Sequence, residues 1–283
     1  MNILSIQSSV AYGHVGNSAA VFPLQRLGFS VWPVITVHFS NHLGYGAARG
    51  PVLPAEDVAD VIRGIEERDV MADCDAVLSG YMGDASIGEV ILDAVERVRK
   101  HRPDAVYCCD PVMGDVGTGF YVRPGIPEFM RQRAVPAATL VTPNQFELEY
   151  LTDSKVTDLA SVLDAVDQLR AMGPDVVLVT SLRREDGPTD RIELLAVSSD
   201  GAWLLSSPLL PVDVNGAGDA TAALFLAHWL TDHSIREALS KTSESIYSVL
   251  ERTLSAGTRE IQLIAAQDAI AHPPSRFDVE KVR

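Results

Sequence analysis

The run Asn215, Gly216, Ala217, Gly218 and Asp219, followed at once by the small-residue stretch Ala220 to Ala227, carries the most chemistry in this chain. Two glycines let a backbone come close to a ligand, and the first amides of a helix lack intrahelical acceptors, so such a turn is an anion site. If phosphate alone bound there, Asp219 would repel it. The carboxylate makes sense if it orients an alcohol attacking that phosphate, or takes its proton. That is phosphoryl-transfer chemistry on a small hydroxyl-bearing substrate. A structural reading stands beside it: Asp in a first helical turn offsets the helix dipole by about 0.3–1 kcal/mol, and glycines before helices mark tight turns.

Short apolar runs at Ile3–Ile6, Val31–Val37, Ala76–Leu78, Ala105–Cys109, Thr139–Val141 and Val176–Val179 alternate with segments of helical period. Val58, Val61, Ile62 and Ile65 form one such stripe; Leu159, Val162, Leu163 and Val166 form another. Ile87, Val90, Ile91, Val95 and Val98 form a third, with Asp84 as its expected N-cap. This alternation predicts an α/β fold, a mostly parallel central sheet flanked by helices. Ile192–Val197 and Ala202–Leu205 flank Ser199, Asp200 and Gly201, and predict an antiparallel hairpin late in the chain. From Gly216 the pattern predicts helix to about Ala271. No repeat, linker or low-complexity stretch interrupts the chain, so residues 1–283 are expected to form a single domain.

In doubly wound sheets ligands bind beyond the carboxyl ends of the strands, so the residues just past each apolar run are the first candidates. Cys109 leads into Asp110, Pro111 and Val112; Val141 leads into Thr142, Pro143, Asn144, Gln145, Phe146 and Glu147; Leu78 leads into Ser79, Gly80 and Tyr81. Asp110 and Glu147 are acids at successive strand ends, hard oxygen donors suited to Mg²⁺ on nucleotide phosphates. Singly, each has a structural reading, as a turn opener before Pro111 and as support for a first helical turn. The presence of Asp219 shifts the balance toward a cation site. The aperiodic segment His38–Gly50 has the length of a lid or binding loop.

The net charge of −15, from 38 acids against 23 bases, excludes a nucleic-acid or anionic-membrane partner, since both need clustered Lys and Arg. An anionic ligand must therefore be held locally, by amides or a cation, against a repulsive field. The N-terminal residues lack a signal-peptide pattern and no long apolar run suggests a membrane span, so a cytoplasmic location is expected. Three cysteines, two of them adjacent in an apolar run, predict reduced core thiols. No GxxxxGK[ST] loop occurs, and Thr221 stands where a dinucleotide fingerprint needs its third glycine. His14, His38 and His42 have irregular spacing and no accompanying cysteine, which disfavours a zinc site.

The chain resembles the pyridoxal kinase family of the ribokinase-like superfamily over nearly its whole length. The resemblance rests on the Gly-x-Gly-Asp signature together with IQSSVAYGHVGNSAA (6–20), HFSNHLGYG (38–46), LSGYMG (78–83), CDPVMGD (109–115) and TPNQFELE (142–149). It implies a ribokinase-like fold and ATP-dependent phosphorylation of the 5′-hydroxyl of pyridoxal, and of pyridoxine and pyridoxamine, in vitamin B6 salvage. It implies Asp219 as catalytic base with Gly216, Ala217 and Gly218 as anion hole, and Ser8, Leu43, Gly44, Tyr81 and Asp219 as substrate contacts. Asp110, Thr142, Glu147, Thr180, Ser207, Pro208, Leu209 and Leu210 are the implied ATP contacts, Asp110 and Glu147 also serving Mg²⁺. A monovalent cation and a homodimer belong to the same implication. Three positions depart from the family pattern: Leu43 where Thr is common, Thr180 where bacterial relatives carry Lys, and Ala217 where Thr or Val is usual. Two rivals remain at this point, a kinase for hydroxymethylpyrimidine or another small alcohol, and a non-catalytic pyridoxal phosphate binder. Hydroxymethylpyrimidine kinases often have Cys at the base position, and a binder needs no cation ligands.

Overall fold

The computed structural model describes all 283 residues. In chain order the strands are β1 (Asn2–Val10), β2 (Ser30–Phe39), β3 (Cys74–Ser79), β4 (Val106–Cys109), β5 (Gly114–Asp115), β6 (Gly119–Phe120), β7 (Leu140–Val141), β8 (Val176–Leu182), β9 (Arg191–Ser198), β10 (Gly201–Pro208) and β11 (Val279–Lys281). The helices are α1 (Asn17–Arg26), α2 (Ala55–Glu66), α3 (Ala85–His101), α4 (Ile126–Phe129), α5 (Val135–Ala137), α6 (Gln145–Thr152), α7 (Leu159–Ala171), α8 (Ala217–Asp232), α9 (Ile235–Ala256) and α10 (Gln267–Ala271). Nine strands form one sheet in the order β11-β10-β9-β8-β7-β4-β3-β1-β2, and β5 and β6 pair as a separate small hairpin.

Six strands, from β2 across to β8, are parallel. β9, β10 and β11 then add antiparallel. Two reversals return β10 to the direction of β8, so its carboxyl end reaches the same edge as those of the parallel strands. Period-two alternation splits the strand residues between two cores. Leu4, Ile6, Val77, Tyr107, Cys109, Val141, Val177 and Val179 pack with α2, α3, α6 and α7. Ile3, Ala76, Leu78, Cys108, Leu140, Val176 and Leu178 pack on the opposite face with α1, α8 and α9. The three cysteines are free and buried within these layers.

The expected stripes seat as helices in this arrangement. Asp84 caps α3 by accepting from the Ser86 amide at 3.0 Å, and Ile87, Ile91, Val95 and Val98 are buried. α8 behaves differently, since ten of its sixteen residues are buried and it has no polar face. It packs between α1 and α9, with Ala223, Phe225, Leu226 and Leu230 in the core shared with the sheet, as a helix apolar on all sides must. α8 therefore presents Gly216–Asp219 from a fixed mount.

The expected helix from Gly216 to Ala271 is broken twice. His233 takes a left-handed conformation (φ 52°) after α8, and Ser234 caps α9 by accepting from the Glu237 amide. α9 stops at Gly257, also left-handed, and Thr258–Ala266 is non-helical apart from turns. A left-handed residue beyond the last turn is the usual helix terminator, and glycine adopts it without a Cβ penalty.

Candidate active site

β1 is the point at which the strand order reverses: the chain leaves it for β2 on one side and returns to β3 on the other. In such sheets the crevice at the carboxyl ends of the strands flanking the reversal receives ligands. Ser8 and Tyr81 meet in that crevice, the Ser8 amide donating to the Tyr81 carbonyl at 3.1 Å. Thr36 Oγ1 donates to the same carbonyl at 2.8 Å, which fixes the start of the Tyr81 turn. Desolvation pushes the Tyr81 hydroxyl above its ordinary range.

Further along the same edge, Asp110 follows β4 and Thr142 follows β7, and the Thr142 hydroxyl donates to Asp110 Oδ1 at 2.8 Å. Asp110 is 6% exposed, and desolvation together with the nearby Asp219 charge pushes its carboxyl up to about 8. Glu147 is buried too, and burial plus repulsion from Asp110 holds it well above the usual carboxylate range. Both of its oxygens are nonetheless engaged by backbone: Oε1 accepts from Met113 N and Oε2 from Asn144 N, each at 2.9 Å. Asn144 Oδ1 in turn accepts from Glu147 N, closing a capping box at the start of α6. The helix-supporting role foreseen for Glu147 is thus present, alongside its charge.

Thr180 lies near the carboxyl end of β8, its amide donating to Pro143 O at 2.9 Å, and so adjoins the Thr142–Glu147 turn. Ser207 and Pro208 end β10, and Leu209 and Leu210 follow, Leu209 being partly exposed. The strand ends thus form a row, with the Ser8 and Tyr81 crevice toward β1 and the Thr180 and Ser207–Leu210 group toward β10.

The Asn215–Asp219 turn stands above this row on the mount of α8. Gly216 caps α8 with φ 85°, and a Cβ there would fall 1.8 Å from the His14 carbonyl oxygen. Only glycine fits. Gly218 is the opposite case, since a Cβ built on it meets nothing within 4 Å and its backbone is ordinary. Nothing in the protein requires glycine there, but close approach of a ligand to the helix amides would. Asp219 is half-buried, and desolvation raises its carboxyl, opposed by the amides of Gly16 and of Asp219 itself. Asp110, Glu147 and Asp219 form an electrostatically coupled series at one end of the sheet.

Leu43 and Gly44 sit in a 3₁₀ turn, Leu43–Tyr45, within the expected His38–Gly50 loop. The loop is closed at its base by His38 N to Pro51 O (3.0 Å) and Ser40 N to Arg49 O (2.7 Å). Its tip reaches the anion turn: the Asn215 side-chain amide stands 2.5 Å from where a Gly44 Cβ would be. Leu43 is about half exposed and presents an apolar side chain at the tip of the loop.

Two features of the site are absent from the expectations. The β5–β6 hairpin overhangs Asp110 and Glu147, held by Asn144 Nδ2 donating to Gly114 O at 2.8 Å and by Phe120 packed edge-on against Phe146 and Tyr150. Tyr121, next to it, has its hydroxyl pushed up by desolvation and by the negative charge of Glu147, Asp219 and Asp110. The second feature is Glu260, in the non-helical stretch after α9, which bonds to residues of two site loops. The glycines Gly114, Gly117 and Gly119 were a signal for the hairpin; nothing local marks Glu260.

A family model described as phosphomethylpyrimidine kinase matches residues 28–263. "Pyridoxal kinase PdxY" of Rubrobacter xylanophilus is 66% identical over 283 residues, covering 100% of this chain and 98% of that one. The protein of the same name from Leifsonia xyli subsp. xyli is 56% identical, with 100% of both chains covered. The chain belongs to the pyridoxal kinase family. Among solved structures, the pyridoxal kinase from Leishmania donovani in complex with ADP and ginkgotoxin superposes with a TM-score of 0.94 at 31% identity, covering 100% of this chain and 99% of that one. Its complex with ADP and pyridoxamine gives 0.93 at the same identity and coverage. The mostly parallel sheet with late antiparallel strands is therefore the pyridoxal kinase fold, which is ribokinase-like.

Proposed function

We propose that residues 1–283 act as one ribokinase-like domain that transfers the γ-phosphoryl group of ATP to the 5′-hydroxyl of pyridoxal, giving pyridoxal 5′-phosphate in vitamin B6 salvage. The observation that carries this reading is the turn at Gly216–Asp219. Open amides begin a buried helix there, and a carboxylate of raised proton affinity accepts from the amide of Gly16, which packs against Ser8. The names of its relatives, pyridoxal kinases over the full chain, support the substrate.

Phosphoryl transfer passes through a loose transition state, so positioning and charge stabilisation dominate over nucleophile activation. In this reading the crevice residues Ser8, Leu43, Gly44 and Tyr81 orient the pyridine ring. The amides of Gly216, Ala217 and Gly218 stabilise the migrating group, and Asp219 orients the hydroxyl and accepts its proton. Thr142, Thr180 and Ser207–Leu210 hold ATP. The β5–β6 hairpin and the His38–Gly50 loop exclude water, which would otherwise compete as acceptor.

No group of three or more His, Cys, Asp and Glu side chains is gathered to hold a cation unaided. The donor set nevertheless suits Mg²⁺. Asp110 spends only Oδ1 on the protein, leaving Oδ2 as a hard donor, and a bound cation would offset the burial and the nearby Asp219 charge that raise its carboxyl. Glu147, with both oxygens on amides, would add negative charge beside the bound cation. Bound Mg²⁺ supplies neutralisation of the phosphate oxygens, and a monovalent cation beside Thr180 is part of the same proposal. No helix is long and apolar enough to cross a membrane. Cytoplasmic location and a homodimer complete the reading, the latter checked by sedimentation.

A substrate panel tests the proposal. Pyridoxal, pyridoxine, pyridoxamine and hydroxymethylpyrimidine are each mixed with MgATP and the protein, with ATP consumption followed and the product aldehyde read by absorbance. Turnover on the B6 vitamers is expected. Preference for hydroxymethylpyrimidine would transfer the assignment to that kinase, and binding of pyridoxal phosphate without ATP consumption would make the protein a binder.

A further inference from the structure

Glu260 lies outside every motif that marks the site, yet it is buried where three site-forming segments converge. Its Oε1 accepts from the Tyr45 hydroxyl at 2.7 Å and bonds His42 Nε2 at 2.9 Å, both on the loop that carries Leu43 and Gly44. Its Oε2 accepts from the His14 amide at 3.0 Å, on the turn between β1, which bears Ser8, and α1. Its backbone pairs with Asn215 in a single parallel bridge, at the root of the anion turn.

The surroundings fit this convergence. A Cβ on Gly13 would come within 2.2 Å of Glu260 Oε2, so the β1–α1 turn closes onto the carboxylate because position 13 has no side chain. The neighbouring Arg259 donates to Gly44 O at 3.0 Å and stacks its guanidinium over the Tyr45 ring at 5.0 Å. The Tyr45 hydroxyl is pushed up to about 12, first by its bond to Glu260, so it remains a donor. None of these contacts touches the strand-end row where Asp110, Thr142 and Thr180 lie. The structure therefore separates a substrate-side clamp from the nucleotide-side donors.

We propose that Glu260 is a positioning residue that fixes the His42–Tyr45 turn and the Tyr12–Gly16 turn against Asn215, and so sets the distance between the substrate contacts and Asp219. A carboxylate is needed because donors reach it from two segments. Glutamine at this position keeps the shape but only one acceptor oxygen, so either the His14 amide loses its acceptor or the Tyr45 hydroxyl and His42 must turn round to accept from the new NH2, and one turn is displaced. The inference rests on the proposed substrate sites, and the experiment separates the two.

Glu260→Gln, Tyr45→Phe and the double variant are made in the full chain, and KM for pyridoxal, KM for ATP and kcat are measured, with thermal unfolding alongside. Wild-type activity on pyridoxal is the control, and its absence removes the functional reading before the clamp is tested. With an active wild type, Glu260→Gln is expected to raise KM for pyridoxal about tenfold or more while KM for ATP stays within about twofold. Tyr45→Phe should move KM in the same sense by less, and the double variant should be no worse than Glu260→Gln alone. A uniform fall in kcat with both KM values unchanged, or equal rises in the two, would make Glu260 merely structural and overturn the proposal. If Glu260→Gln does not fold, Tyr45→Phe alone decides: a raised KM for pyridoxal supports the clamp, and an unchanged one overturns it.

Discussion

Three carboxylates at the candidate site are kept by the fold from ionising freely. Desolvation raises Asp110, Glu147 and Asp219, and repulsion from neighbouring carboxylates adds to it at Asp110 and Glu147. For Asp219 a raised proton affinity suits a group that receives a proton from an alcohol. Asp219→Asn is expected to lower kcat by about 10²–10⁴-fold while leaving ATP binding within about twofold, read by steady-state kinetics and by calorimetric titration. Asp110 gives a stability signature instead. Its carboxyl moves from an ordinary 3.8 to about 8 on folding, so between these values the native state keeps a proton that the unfolded state has lost. Stability must therefore fall as pH rises through that window, a tenfold displacement of proton affinity being about 1.4 kcal/mol. Asp110→Asn should flatten this slope and stabilise the ligand-free protein at pH 8 relative to wild type, as measured by urea unfolding at pH 5 and pH 8.

At the scale of elements, the decisive feature is how α8 begins. Gly216 and Gly218 look alike in the sequence and differ in the structure, the first forced by φ 85° and the His14 carbonyl, the second free of any protein neighbour. Gly216→Ala is expected to destabilise the fold by more than about 1 kcal/mol, seen as a lower Tm. Gly218→Ala should leave Tm unchanged or slightly raised, since alanine favours a helix. It should also depress activity by crowding the phosphate, and full activity in Gly218→Ala would remove the anion site from this turn. Period-two and period-3.6 patterns made β1, β2, β3, β8, the β9–β10 hairpin and α3 legible in the sequence, because their apolar faces each meet a core. The end of α9 was not so legible. Gly257 stops it through a backbone conformation, and the apolar residues beyond it, Ile261 and Leu263, pack beside α8 and α9 without being helical. The two-residue strands β5 and β6 carry no periodicity at all, and β11 is too short to show one.

At the scale of the whole molecule, site residues are far apart in sequence and come together because every strand that bears one ends at the same edge. Strand-end motifs were legible for that reason: Asp110, Thr142 and Thr180 follow or close recognisable apolar runs. Glu260 was not, since its side-chain partners lie more than two hundred residues away and are reached only through the packing of α9. The same long-range closure makes the His38–Gly50 loop a candidate lid. Arg49 is exposed at its base, so trypsin should cut after it in the free protein and more slowly with pyridoxal and MgATP together. Equal cutting rates would argue that the loop is static. The central claim is that Asp219 accepts the hydroxyl proton beside amides that hold the phosphoryl group, and a crystal structure with pyridoxal and a non-hydrolysable ATP analogue tests it most directly. The account predicts an Asp219 oxygen about 2.6–3.2 Å from the 5′-hydroxyl, with the γ-phosphate on the amides of Gly216–Gly218. A carboxylate beyond hydrogen-bonding reach of that hydroxyl, or a phosphate bound elsewhere on the edge, would contradict it.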